Sequence, residues 1–195
     1  HPEILFVVRA HPDEMRPGKM SQESVMAWVA AQHFDQLPNV MFIPSEETLS
    51  SYDLIARSKF VMVYNSSIGL EATLLGRPVL CAGKARYTQY PIVYYPSSRQ
   101  DYSRMLDDFL QADAIPLPEE YKINARRFLY AQLFQYSLPF DRFLINHPTP
   151  GYVQLKGFSW KALFPDRSPI LKTIVKGILE GEEFKLEPED EEQVW

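Results

Sequence analysis

Short apolar runs alternate with helical segments along the first 112 residues, and this alternation most constrains what the chain can fold into. The apolar runs are rich in Val, Ile and Phe. They are continuous rather than alternating with polar residues, as in strands that are buried on both faces. Strands of this kind, separated by helices, are typical of a parallel sheet. The predicted strands cover residues 4–9, 40–43, 60–64, 78–82 and 92–95.

The segments between these runs have apolar residues at helical spacing, which predicts helices at about residues 21–34, 50–58, 68–75 and 102–112. Ser21 and either Ser50 or Ser51 are the expected N-caps of the first two helices, and Gly76 is expected to end the third. Together, these elements predict an α/β fold. Its core would be a Rossmann-like parallel sheet of about five strands with helices on both faces.

The pattern changes after Pro116 and Pro118. An aromatic segment at 119–137 predicts one long helix, a proline-rich segment at 146–169 predicts a loop, and 169–179 predicts a final helix. We therefore expect a domain at 1–115, C-terminal helices within an extension at 116–180, and a mobile acidic tail at 181–195. The extension would pack on the domain, or on an N-terminal half that precedes residue 1.

The charge of the chain is unevenly placed. Residues 180–195 hold eight acidic residues and one Lys and so carry −7; because the whole chain carries −5, the remainder carries +2. This mild positive charge suits a small anionic ligand, and it is too weak to predict nucleic-acid binding.

The single cysteine, Cys81, excludes a disulfide framework within the chain and fits a reducing cytoplasm. No run reaches the roughly 18–20 apolar residues of a membrane span. We therefore expect a cytoplasmic protein without a transmembrane segment, peripheral at most at the inner face of the membrane.

The first candidate site follows the first predicted strand, where Arg9 and His11 leave its carboxyl end. Ligands of open α/β sheets bind at that edge, so both side chains could meet a phosphate or carboxylate there. A loop histidine bonded only to backbone is the structural alternative. Asp13 and Glu14 lie close by, but without a third ligand at suitable spacing we expect no metal site.

The second candidate site is the segment 64–72, which follows a predicted strand and opens a helix. Ser66, Ser67 and the backbone N–H groups around Gly69 could hold a phosphate, and Glu71 could reach a ribose diol. An ordinary serine N-cap followed by a first-turn glutamate is the alternative. Lys84 and Arg86 leave the next strand and could contact phosphate or an acidic sugar, or could be solvated loop cations.

The order of these motifs resembles the capsule polysaccharide biosynthesis/export family, over residues 4–95 well and over 119–145 loosely. In that family, the matching segment is the C-terminal, donor-binding half of a GT-B-type glycosyltransferase. The motifs are Arg9-x-His11-Pro12, Leu37-Pro38-Asn39-Val40, Ser50-Ser51-Tyr52-Asp53-Leu54-Ile55 and the run from Tyr64 through Gly76-Arg77-Pro78-Val79.

The resemblance implies a donor site for a CMP- or UDP-linked sugar that is transferred to a glycan or lipid-linked acceptor in capsular or surface polysaccharide synthesis. His11 would contact the nucleotide phosphate and is the candidate catalytic residue, and Ser66 and Ser67 would cradle the phosphate. Glu71 would hold the ribose, and Arg9 and Lys84 are further carry-overs. No metal cofactor is expected.

Three alternatives remain open at this point. The acceptor site, and often the base, of a GT-B enzyme come from the N-terminal half, so the resemblance does not establish that this chain is an enzyme alone. A non-hydrolysing UDP-sugar 2-epimerase and a polyol-phosphate transferase would use a similar serine-rich helix start and glutamate. A non-catalytic nucleotide-sugar or polysaccharide-binding module is the third alternative.

Overall fold

A computed structural model describes residues 1–15, 20, 22–149 and 151–187 of the chain. The chain divides into two compact units, His1–Lys122 and Ile123–Trp195. In the first unit, short parallel strands alternate with helices, as the apolar pattern predicts. Its elements are β1 Phe6–Arg9, α1 Val25–Ala31, β2 Val40–Ile43, α2 Ser51–Arg57, β3 Val61–Val63, α3 Ile68–Leu74, β4 Val79–Cys81 and α4 Arg99–Gln111.

The strands of the first unit pair in parallel, which confirms the α/β class. β1 pairs with β2 in the register Phe6↔Val40, and β3 pairs with β4 in the register Val61↔Val79. The fifth predicted strand contributes one parallel bridge, between Tyr94 and Leu80. Among the described residues of the first unit, the pairings therefore form two separate two-stranded ladders and do not show the predicted five-stranded sheet.

The fifth strand is limited to a single bridge by its neighbours in sequence. Prolines at positions 91 and 96 flank it, and proline has no N–H to donate to a ladder. Tyr94 still makes both possible bonds: its N–H donates to Val79 at 2.9 Å, and its carbonyl accepts from Cys81 at 2.9 Å. Tyr94 is thus fully hydrogen-bonded to β4, even though the strand does not extend beyond this one bridge.

The core of the first unit is centred on β4, whose three residues are all 0% exposed. Burial on both faces is typical of a central parallel strand, and it explains why this run is continuously apolar. Thr73 is also 0% exposed, and its hydroxyl donates to the carbonyls of Gly69 and Ile92, each at 3.2 Å. These bonds satisfy a polar group that would otherwise be costly to bury.

The N-terminal boundary of α1 differs from the prediction. The helix begins at Val25 and not near Ser21, because the Ser24 hydroxyl accepts from the Ala27 N–H at 3.0 Å and caps it. The carboxylate of Glu14, which is buried, accepts from the Val25 N–H at 2.6 Å. Ser21 itself lies outside the described residues.

The other helix boundaries lie closer to the positions that the capping serines and the glycine predict. Ser50 caps α2 by accepting from the Tyr52 N–H, and Gly76, with φ of 81°, follows the end of α3 as predicted. α4 begins at Arg99, slightly earlier than expected, because Ser98 accepts from the Asp101 N–H at 3.0 Å.

α5 spans Glu119–Tyr130 and continues in the second unit as a π-helical turn at Ala131–Gln135. An antiparallel hairpin of β5 Leu144–Asn146 and β6 Val153–Leu155 follows. The loop predicted over 146–169 missed this hairpin because each strand has only three residues and two prolines, 148 and 150, lie between them. α6 covers Pro169–Leu179, as predicted.

The residues after α6 are described as far as residue 187. Leu186 is 0% exposed, and its N–H donates to the Gln135 carbonyl at 2.9 Å. The rest of the predicted acidic tail, 188–195, lies outside the described residues. None of the described helices is both long enough and apolar enough to cross a membrane.

Candidate functional site

The segments that follow β3 and β4 are joined at the carboxyl ends of these strands. The Gly83 N–H donates to the Tyr64 carbonyl at 2.6 Å, and the Tyr87 hydroxyl donates to the Ser66 carbonyl at 2.6 Å. The Cys81 thiol lies 3.1 Å from the Tyr64 carbonyl. The structure thus brings the serine-containing segment together with the segment that carries Lys84 and Arg86. We call this surface, residues 64–67 and 82–87, the strand-end surface.

Tyr87 joins the two segments through its side chain. Its side chain is buried, and burial raises its pKa, with a further contribution from the neighbouring Cys81. The phenol therefore stays protonated and can donate throughout the physiological pH range. Sequence reasoning missed this residue, because nothing in the local pattern shows that its hydroxyl reaches a carbonyl 21 positions earlier.

Gly69 is predicted from the sequence as a substrate-binding residue, and the structure shows a packing reason for a glycine there. A Cβ atom at this position would lie 2.5 Å from the Tyr87 hydroxyl oxygen and 3.1 Å from a Val63 methyl carbon. The absence of a side chain therefore allows the Tyr87–Ser66 hydrogen bond to pass over α3.

Overpacking a close contact usually costs about 1–3 kcal/mol, and Gly69→Ala gains about 1 kcal/mol of helix propensity. The net effect expected for this variant is therefore a destabilisation of up to about 2 kcal/mol. Gly157→Ala is the matched control, because a Cβ there meets nothing within 4 Å. Urea denaturation measures both. A Gly69 variant that is more stable than the wild type, as helix propensity alone predicts, would contradict the packing argument.

The backbone amides at the start of α3 differ from the sequence-based expectation. The sequence predicts that they could hold a phosphate, but the N–H groups of Gly69 and Leu70 donate to the Ser66 and Ser67 carbonyls at 3.1 and 3.0 Å. The Ile68 N–H points to the Ser66 hydroxyl at 3.4 Å. The turn tightens to i→i+3 bonds, which use these amides internally.

The two serines consequently have different surroundings. The Ser66 hydroxyl accepts from the backbone, whereas the exposed Ser67 makes no side-chain capping bond to α3. A side chain that is exposed and does not cap the helix can bind a ligand without breaking an existing contact. Of the pair, Ser67 is therefore the better candidate for ligand contact.

Glu71 forms a hydrogen bond that joins α3 to α2. The Tyr52 hydroxyl donates to its Oε2 at 2.5 Å, and this bond is the largest cause of a raised pKa for Tyr52. Sequence reasoning did not single out Tyr52. The signal was available, because a residue two positions after the N-cap Ser50 lies on the first helical turn after β2, at the carboxyl edge of the strand.

Arg9 is held by the loop after β2. Its two terminal nitrogens donate to the Pro44 and Glu47 carbonyls at 3.2 and 2.9 Å. Its Nε is buried and has no hydrogen-bond partner among the described residues. The guanidinium thus has an evident structural role in fixing this loop.

His11 is exposed, and its Nδ1 accepts from the Asp13 N–H at 3.0 Å. The neutral ring would then carry its proton on Nε2, where it could donate to an anion. His147 is also followed by proline, and it accepts from the Thr149 N–H at 2.9 Å in the same way. The local geometry of a His-Pro turn therefore does not by itself identify a site; His11 is distinguished by its position after β1.

Lys84 and Arg86 are exposed, and neither side chain forms an ion pair with another described residue. They are available to an anion at the strand-end surface. Within the described ranges, no hydrogen bond joins Arg9 or His11 directly to this surface. No cluster of three or more His, Cys, Asp or Glu side chains in the described part of the chain is arranged to hold a metal ion.

The fold and this strand-end surface define an α/β protein with parallel strand pairs and polar segments at their carboxyl ends. A family model for capsule polysaccharide biosynthesis proteins matches residues 1–137, which is more than half of the chain. The chain therefore belongs to the capsule polysaccharide biosynthesis protein family. No curated protein and no solved structure matches it significantly.

Proposed function

We propose that this chain supplies the donor-binding half of a GT-B-type glycosyltransferase of capsule polysaccharide synthesis. It would bind a CMP- or UDP-linked sugar and take part in its transfer to a glycan or lipid-linked acceptor. The family match is the observation that carries the proposal, because it spans every candidate residue of the strand-end surface together with Glu71 and His11. In this proposal, the two parallel ladders and the Tyr94 bridge belong to one Rossmann-like sheet.

The chemistry of the strand-end surface supports the proposal. When a glycosidic bond to a nucleotide breaks, negative charge develops on the leaving phosphate, and hydrogen-bond donors and cations that contact it stabilise it. The exposed Ser67 hydroxyl, Lys84 and Arg86 are groups of this kind, and the Nε2 proton of His11 is another. Lys84 and Arg86 would supply the positive charge without a metal ion, and Ser67 and His11 would donate hydrogen bonds. The buried free thiol of Cys81 fits a protein that works in the reducing cytoplasm.

Isothermal titration of CMP, UDP and their sugar conjugates into the protein tests the proposal. Removing a hydrogen bond to a charged phosphate is expected to weaken binding by about 1.5–3 kcal/mol, or roughly ten- to a hundredfold. We therefore expect Ser67→Ala and His11→Ala to lose affinity to about this extent. EDTA should leave the affinity unchanged.

Two control variants match these substitutions. Ser103→Ala removes an exposed hydroxyl from α4, and His147→Ala removes a histidine that makes the same ring-to-amide bond as His11. Both are expected to bind like the wild type. Absence of binding by the wild-type chain, or equal losses in the control and site variants, would overturn the proposal.

A further inference from the structure

The Tyr52–Glu71 bond joins α2 to α3, and a second hydrogen bond joins the segments at which the two helices end. At the start of the helices, the Tyr52 hydroxyl donates to Glu71 at 2.5 Å. Three residues beyond the end of α3, the guanidinium of Arg77 donates to the carbonyl of Ala56, near the end of α2. The contacting residues come in the same order in both segments, 52 before 56 and 71 before 77, so the two segments run in the same direction. Both first turns therefore lie at the carboxyl edge of the strands that precede them.

The bond with Tyr52 involves one of the two oxygens of the Glu71 carboxylate. The described residues provide no hydrogen-bond partner for the other oxygen, Oε1. A glutamate terminus rotates broadly about its last torsion, so a partly exposed carboxylate would otherwise have no fixed direction. A short bond to one oxygen fixes the plane of the group and leaves the second oxygen available to a ligand.

Tyr52 suits this role because of how it is placed. The residue is 54% exposed, so its ring is not part of the core, and its backbone N–H is fixed by the Ser50 cap at 3.2 Å. The bond to Glu71 raises the pKa of the phenol above its ordinary value of 10.0. The hydroxyl therefore remains a donor at any pH at which a nucleotide would be bound.

We propose that Tyr52 is a positioning residue that fixes the Glu71 carboxylate so that its free oxygen accepts a ribose hydroxyl of the bound nucleotide. This inference rests on the proposed function and extends it, because it makes the Tyr52–Glu71 pair the element that selects ribose over ligands without the diol. A carboxylate that is already fixed before binding loses less conformational entropy when the ribose hydroxyl binds to it. The Tyr52 bond therefore raises the affinity only for ligands that carry this hydroxyl.

Calorimetric titration with CMP and UDP, and with their 2′,3′-dideoxy counterparts, tests the inference. The wild type is expected to bind the ribonucleotides at least about tenfold more tightly than the dideoxy compounds, because unpaired polar groups reject a ligand that lacks the hydroxyl. Tyr52→Phe is expected to weaken ribonucleotide binding about three- to tenfold and to leave dideoxynucleotide binding unchanged. Tyr152→Phe, which removes a hydroxyl from another exposed tyrosine, should change neither.

The outcomes separate this inference from the proposed function. Should the wild type bind ribonucleotides while Tyr52→Phe keeps the same preference for ribose, or loses both ligand types equally, the positioning role is overturned and the donor site stands. Should the wild type bind none of the four compounds, both proposals fail. A ligand-free measurement adds a second check: alkaline ultraviolet titration should show one tyrosine with a lower pKa in Glu71→Gln than in the wild type. Identical titration curves would contradict the pairing.

Discussion

Replacing Glu71 by glutamine is expected to weaken binding of CMP or UDP by about ten- to a hundredfold. The substitution keeps the shape of the side chain and an oxygen that can accept from Tyr52, but it removes the charge of the acceptor. Hydrogen bonds to charged groups are worth about 1.5–3 kcal/mol, and each 1.4 kcal/mol is a tenfold change in affinity. Isothermal titration measures the effect directly.

The control for this variant is Asp107→Asn, which removes one negative charge from the exposed face of α4. It changes the net charge of the chain by the same amount as Glu71→Gln and should bind nucleotides like the wild type. An effect of net charge alone would change binding in both variants. The thermal stability of Glu71→Gln should stay close to that of the wild type, because the residue is only partly buried. Wild-type affinity in a folded Glu71→Gln protein would rule out contact between this carboxylate and the ligand.

Replacing Leu80 by alanine is expected to lower the free energy of unfolding by about 2–5 kcal/mol, the usual cost of a leucine-to-alanine change in a core. Leu80 is 0% exposed and is the middle residue of β4, so the cavity cannot be filled by solvent-facing side chains. Urea denaturation followed by circular dichroism and by tryptophan fluorescence measures the loss. Coincident transitions would justify a two-state treatment.

Met62 provides a matched comparison, since it faces Leu80 in the register of the β3–β4 ladder but is 44% exposed. Met62→Ala should cost less than about 1 kcal/mol, as expected for a position near the surface. Equal losses in the two variants would mean that β4 is not the central buried strand of the first unit. The contrast between the two partners thus tests the arrangement of the sheet rather than hydrophobicity in general.

The local features of the fold were predictable from the sequence because each depends on neighbouring residues. The limits of β2 and α6 follow from apolar spacing, from a serine cap and from Pro169 at the helix start. The N-cap of α1 was harder to predict from the sequence, because Ser21 and Ser24 both suit the position. The contact that accompanies the Ser24 start comes from Glu14, which lies 11 residues before Val25.

The pairing of strands and the contacts of the candidate site were less predictable, because they join residues far apart in the chain. Short apolar runs show that strands exist, but they do not show whether β1 pairs with β3. The Tyr52–Glu71 and Tyr87–Ser66 bonds span 19 and 21 positions, and no local pattern encodes either of them. Positions at strand ends therefore predict the candidate residues, whereas the partners of Tyr52 and Tyr87 follow only from the three-dimensional structure.

The position of Cys81 has a practical consequence for studying this protein. It is the single cysteine of the chain; it is 0% exposed, and burial raises the pKa of its thiol. Alkylating reagents attack the thiolate, so the native chain should resist them until β4 separates from the Tyr64 segment. The rate of alkylation therefore reports on how often this part of the molecule opens, and no label has to be engineered into the chain to measure it.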